Sequence, residues 1–252
     1  IVVKGDIPIG IYRNSVDAGM GRSLNNMDAQ AGAPPDDFAV KGQNWGFPTY
    51  NWKAMQENDF TWWRQRFEQM SNYFDAFRID HILGFFRIWS IPLHAVEGIM
   101  GKFDPAIPVH INEFFERNIA YEWHRYTKPY ITDDILQQLF ADEADFVKEN
   151  FLNGYELKEA FNTQRKVENY FAAKNDSDNK IKSGLFDLIS NVILFEEENS
   201  QGQKFHFRFG MEQTTSFLNL DAYAQQQLKE LYVNYFFRRQ DDFWRAEAMH
   251  KL

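Results

Sequence analysis

Phe77-Arg78-Ile79-Asp80-His81-Ile82-Leu83-Gly84-Phe85-Phe86-Arg87-Ile88-Trp89 begins with the period-two alternation of a short strand. Phe77 and Ile79 then point to one side of it, Arg78 and Asp80 to the other. In a barrel of parallel strands the second side faces the axis near the C-terminal mouth, where such folds keep their chemistry. A guanidinium two residues away holds a carboxylate ionised and aimed, which is what a nucleophilic carboxylate needs. A structural Arg–Asp ion pair at a strand end fits the same residues, and taken alone they favour it. His81 is equally open, to a substrate hydroxyl or to a buried carbonyl.

Upstream, the spacing predicts an amphipathic helix from Asn58 to about Tyr73. Trp63, Phe67, Met70 and Phe74 fall at i, i+4, i+7 and i+11, one face of a 3.6-residue period. Before it runs a long irregular segment, about Asn14 to Trp52. Gly32-Ala33-Pro34-Pro35-Asp36-Asp37 and Gly46-Phe47-Pro48 break helix and strand alike there, and a loop of that length in a compact domain is usually functional. At the start, Val2-Val3 and Ile7 to Ile11 flank Gly5-Asp6 as a buried strand with its exit loop. Asp6 occupies the place after this strand that Asp80 occupies after the later one, and capping of the following turn is its plainer use. Strand, loop, helix and strand make a βαβ unit, so the two strands should run parallel.

Downstream of about Phe103 the chain reads mostly helical. Thr132 or Asp133 caps a helix carrying Ile135, Leu136, Leu139, Phe140 and Phe146 on one side. Further helices are expected from Thr163 to Ala173, around Leu185, Phe186, Ile189 and Ile193, and from Leu220-Asp221 to the chain end. Lys204 to Phe209 alternates like a strand, and Asn175 to Asn179 is a polar linker.

The 252 residues carry 36 Asp and Glu against 27 Lys and Arg, a net charge of −9. A surface built for polyanions carries a basic excess, so nucleic acid is not an expected partner. No apolar run reaches the roughly 18 residues that span a membrane. With no Cys, disulfides and thiolate metal sites are excluded, which fits a reducing compartment, and the location expected for the protein is cytoplasmic. The six His residues show no helical i, i+4 pair of the kind that binds zinc, and neither metal nor cofactor is expected. Aromatic residues make up 17% of the chain, enough to line a sugar-binding groove as well as a core.

Three strings in order, Lys4 to Gly10, Gly32 to Tyr50 and Phe77 to Trp89, resemble the 4-α-glucanotransferases, the amylomaltase and disproportionating-enzyme family of glycoside hydrolases (family 77). FRIDHILGFFRIW is especially similar to the subgroup related to the plant cytosolic disproportionating enzyme, whose barrel carries a long insertion after the nucleophile strand. The resemblance implies an α/β fold: part of a (β/α)8 TIM barrel over residues 1–105, a mostly helical insertion over 106–220, and a helix back to the barrel over 221–252. By position it makes Asp80 the nucleophile, Arg78 the partner that keeps it anionic, and His81 a holder of sugar hydroxyls in the −1 subsite. Asp6 would support that subsite. Asp36, Gln43 and Trp45 would lie on a mobile loop over the cleft, with Gln43 hydrogen-bonding and Trp45 stacking on glucose.

This chain departs from the pattern at three points. Asp37 stands where many members have Tyr, and Leu83 where many have Arg, with Arg87 the candidate to take that place. The family's acid/base Glu, in a Gly-Glu-Asp-Leu-Gly type motif, is absent. Glu196-Glu197-Glu198 follows a helical run and precedes a polar turn, which is the wrong setting. The chain therefore reads as a fragment, inactive alone. The implied reaction is retaining: the nucleophile forms a glycosyl intermediate, and the 4-hydroxyl of maltose, a maltodextrin or another α-glucan then takes the glycosyl group. An α-amylase-type hydrolase is the alternative enzyme, against which the Gly32–Tyr50 string argues. A non-catalytic glucan-binding module is the alternative of another class.

Overall fold

The computed structural model describes residues 1–173 and 179–239. Of the expected linker Asn175 to Asn179, residues 175–178 lie outside the described residues, as does the chain beyond Arg239, and Asn179 begins helix Asn179–Ser190.

Strand Lys4–Ile7 pairs in parallel with strand Ala76–Ile79, placing Asp6 opposite Arg78 and Ile7 opposite Ile79. The parallel pairing expected from the βαβ pattern is therefore present. Helix Thr61–Ser71 connects the two, its Trp63 buried with Ile7, Tyr50 and Met55 while Phe67 and Met70 pack beside them. Gly5 is required by close approach, because a Cβ there would lie 2.5 Å from the Phe74 ring. The strand starts later than expected: Val2 and Val3 are exposed. The described residues hold this parallel pair within a mixed helix and sheet structure, and not a closed barrel.

The segment from Asn14 to Trp52 is not the structureless loop that its Gly and Pro content predicts. Ser15 caps a short helix, Val16–Met20, by accepting from Ala18 N at 3.2 Å. Ala29–Ala33 and Gln43–Asn44 then enter a four-stranded antiparallel sheet with Ile88–Pro92 and Lys102–Asp104. Gly32 serves this sheet as a small residue. A Cβ on it would come within 2.0 Å of the Gln43 carbonyl oxygen, so the glycine that looked like a breaker is what lets two strands meet.

The second half differs from expectation in three places. The helix expected to run through Phe146 is two helices, Asp133–Phe140 and Ala144–Phe151, separated at Ala141 with φ +51°. Phe146 consequently leaves the apolar stripe and is exposed. Ile193 falls beyond its expected helix, which ends at Ser190. The region also contains a three-stranded antiparallel sheet of Leu194–Glu196, Lys204–Phe207 and Val109–His110. Other expectations hold: Thr132 caps its helix, Gln164–Ala173 is helical, and Asp221 caps Ala222–Val233 by accepting from Ala224 N at 2.9 Å.

Trp89 and Ile91 share one core with Ile135, Phe140, Phe151 and Leu185. A second core gathers Phe114, Phe205, Phe207, Leu228 and Leu231. The strand just after the Asp80 segment is thus anchored in the helical region. No helix among the described residues is long and apolar enough to cross a membrane.

Candidate active site

Asp80 lies one residue past the end of its strand, where its N–H donates to Ile7 O at 3.0 Å and extends the parallel ladder. Its side chain is exposed and makes no hydrogen bond or ion pair among the described residues. The expected Arg78–Asp80 pairing is not what forms. Arg78 closes a fork on Asp6 instead, Nη2 to Oδ2 and Nε to Oδ1, both at 2.9 Å. The register explains this, since parallel pairing sets Asp6 directly across from Arg78.

His81 follows with φ +51°, in the left-handed region that costs a residue with a Cβ roughly 1–2 kcal/mol. It opens the 3₁₀ turn Ile82–Phe85. Gly84 makes room for it, as a Cβ there would lie 2.5 Å from His81 Cδ2. The His81 ring meets Trp45 edge to face, centroids 5.2 Å apart at 85°. Trp45 stacks on Phe47 at 5.7 Å, and its indole N–H donates to Gln43 Oε1 at 3.0 Å.

The loop bearing these rings is tied down by backbone bonds. Trp45 N donates to Ala31 O at 2.9 Å and Gly46 N to Asn44 Oδ1 at 3.0 Å, while Asn44 Nδ2 reaches Val96 O at 3.0 Å. Arg13 Nε adds a bond to Gly46 O at 3.3 Å. Gln43, Trp45 and His81 are therefore brought together, next in sequence to Asp80. Asp36 is not joined to them. Its Oδ1 accepts from Phe38 N and Ala39 N, closing its own turn.

Leu83 is exposed, and the Arg87 guanidinium sits 4.2 Å from the Phe103 ring centroid. Phe47 and Arg13 escaped sequence reading. Phe47 was legible only as part of a Gly-Phe-Pro breaker, and Arg13 binds backbone carbonyls far away in sequence, which leaves no local signal.

Glu197 belongs to a different cluster. It is hydrogen-bonded to His206, and Lys102 Nζ lies 3.1 Å from its Oε2. His206 Nδ1 is 2.7 Å from Tyr235 Oη. The His206 hydrogen bond, with Lys102 beside it, pulls the Glu197 carboxyl down to about 2 against the burial that opposes ionisation.

The profile of the family described as 4-alpha-glucanotransferase, glycoside hydrolase family 77, matches residues 1–252. The chain belongs to that family. 4-alpha-glucanotransferase DPE2 of Oryza sativa subsp. japonica is 42% identical to it, over 100% of this chain and 28% of its own length. The 4-alpha-glucanotransferase of Chlamydia pneumoniae is 39% identical over 35% of this chain and 17% of its own. This family member thus spans under a third of the rice protein's length. A solved amylomaltase from Streptococcus agalactiae, in complex with acarbose, covers 93% of this chain and 57% of its own. Its identity is 20% and its TM-score 0.40, a likeness too slight to decide an arrangement.

Proposed function

We propose that this chain carries the nucleophile half of a retaining 4-alpha-glucanotransferase site, on two adjoining strands of a (β/α)8 barrel. Residues 1–105 belong to that barrel, 106–220 form its mostly helical insertion, and 221–252 lead back to it. The observation that carries the reading is the state of the Asp80 carboxylate: exposed, without a hydrogen-bonding partner among the described residues, and adjacent to the His81–Trp45–Gln43 group. A nucleophilic carboxylate must have an oxygen free to reach the anomeric carbon.

In the retaining sequence Asp80 attacks that carbon while an acid protonates the departing oxygen. The acid/base Glu is supplied from outside these residues. The glycosyl ester then passes to the 4-hydroxyl of a second maltose, maltodextrin or glucan. Arg78 serves this step through Asp6: their fork fixes the two strand ends, and its guanidinium keeps positive charge beside the nucleophile. His81 donates to hydroxyls of the sugar at −1. Trp45 presents its ring to a neighbouring glucose, aimed by Gln43, and the Asp36 turn shapes the entry of that loop. Transfer in place of hydrolysis rests on exclusion of water by this loop. The cysteine-free sequence accords with a cytoplasmic setting.

The test is product chromatography after incubating the full-length protein with maltose. Glucose together with longer maltodextrins is the expected outcome, lost in Asp80→Asn. Glucose alone would make the protein a hydrolase, and unchanged products from the variant would remove Asp80 from the reaction.

A further inference from the structure

Helix Trp123–Thr127 borders three neighbouring cavities, which together form a groove. The first, about 520 Å³, lies between Trp123, His94, Phe195 and the Glu196–Glu198 edge. The second, about 350 Å³, shares His94, Lys128 and Phe195 with it and reaches Tyr155 and Glu156. The third, about 500 Å³, shares Lys128, Tyr155 and Glu156 with the second. Shared lining residues, Lys128 in all three, set the cavities side by side along one face, and each falls in the size range of about 300–1,000 Å³ that ligand pockets occupy.

Two aromatic rings in this groove are held by their polar ends. The Trp123 indole N–H donates to Glu196 Oε2 at 2.8 Å, and the Tyr155 hydroxyl donates to Asp133 Oδ2 at 2.6 Å. Lys128 Nζ stands 4.8 Å from the Trp123 ring and Lys148 Nζ 4.6 Å from the Tyr155 ring. Both rings are partly exposed, at 39% and 47%. Rings fixed in this way offer flat apolar surface at little entropic cost. Between and beside them, the carboxylates of Asp28 and Glu198 accept no hydrogen bond among the described residues, and the His94 ring is exposed to the groove.

The geometry points to a second saccharide site, in which a linear neutral oligosaccharide lies along this groove. An extended groove with two separated rings suits a chain of repeating units better than a compact ligand. Carboxylates outnumber cations along its walls, which repels phosphate-bearing ligands and leaves acceptors for sugar hydroxyls. None of the residues assigned to the Asp80 site lines it. The choice of an α-glucan as the oligosaccharide rests on the glucanotransferase reading above.

The full-length protein with its Asp80→Asn substitution, labelled with 5-fluorotryptophan, tests this by ¹⁹F NMR. The Trp123 resonance is assigned by its loss in Trp123→Phe. Titration with maltoheptaose should shift that resonance saturably, inorganic phosphate should leave it in place, and Tyr155→Ala should weaken the titration several-fold. A Trp123 resonance that stays put at maltoheptaose concentrations saturating transfer by the unsubstituted protein overturns the proposal. The readout comes from the native side chain, so it stands even if Tyr155→Ala fails to fold. Maltose disproportionation by the unsubstituted protein is scored separately: its absence would sink the transferase reading, whatever the Trp123 resonance does.

Discussion

Arg78 commits its guanidinium to Asp6 across the parallel strand pair, with two bonds of 2.9 Å, and thereby leaves the Asp80 carboxylate without a partner among the described residues. The pair is solvent-exposed, 60% and 57% by side chain, so its direct worth to stability is within about 1 kcal/mol. Its consequence is positional, since it joins two strand ends 72 residues apart in sequence.

Asp6→Asn should therefore separate activity from stability. Misplacement near reacting atoms costs on the order of 10²-fold in rate, and kcat/KM for maltose should fall by about that factor. Thermal unfolding should move by only about 2–4 °C. Parallel kinetics and calorimetry on the full-length protein check both arms, and an unchanged kcat/KM would show that the fork does not serve the reaction.

Gln43 orients the Trp45 ring by one hydrogen bond, worth about 1 kcal/mol net. Gln43→Ala should raise KM for maltodextrins about five-fold and leave kcat nearly alone, because a stacking surface binds ground and transition states alike. Steady-state kinetics with maltotriose provide the measurement.

At Gly84 an added Cβ would press on His81 at 2.5 Å and on Ile88 and Ile9 at 3.0 Å. Overpacking of this kind costs about 1–3 kcal/mol. Gly84→Ala should lower both the unfolding midpoint and the transfer rate, whereas Gly46→Ala, where a Cβ meets nothing within 4 Å, should act only through its positive φ.

Lys102, Glu197, His206 and Tyr235 connect the four-stranded sheet, the three-stranded sheet and the C-terminal helical stretch. Glu197 titrates at about 2 in place of 4.5. Its stabilisation is thus complete above the ordinary value and lost as pH falls from about 4.5 towards 2. Burial holds His206 below 6.5, although Glu197 opposes that, so the unfolded chain takes up the His proton first and acid again favours unfolding. Denaturant unfolding between pH 7 and 2 should show stability falling first on the His206 account and then, below about 4.5, on the Glu197 account. Glu197→Gln should lower it by about 1–2 kcal/mol at neutral pH, a figure discounted for partial exposure. Equal pH slopes in the two proteins would contradict this assignment.

Periodicity made the parallel pair and its connecting helix readable, because Phe77 and Ile79 alternate with polar residues and Trp63, Phe67 and Met70 recur at helical spacing. It could not show which carboxylate Arg78 takes, since that depends on strand register between distant segments. Nor could it show that Gln43–Asn44 is a strand, because two residues carry no alternation and the surrounding Gly and Pro mimic a free loop. Ala141 breaks its helix with a positive φ that an alanine does not advertise, and Phe146 was misplaced for that reason. The grouping of Trp45 with His81 follows from these same pairings, so the resemblance named both residues while only the fold brought them together.

The account's central claim is that Asp80 forms the glycosyl bond, and the direct measurement is to trap it. The full-length protein is incubated with a 5-fluoro-α-glucosyl fluoride, whose intermediate turns over slowly, then digested and mapped by mass spectrometry. The account predicts one glycosyl adduct, on the peptide containing Asp80 and absent from Asp80→Asn. An adduct on a different carboxylate would contradict it.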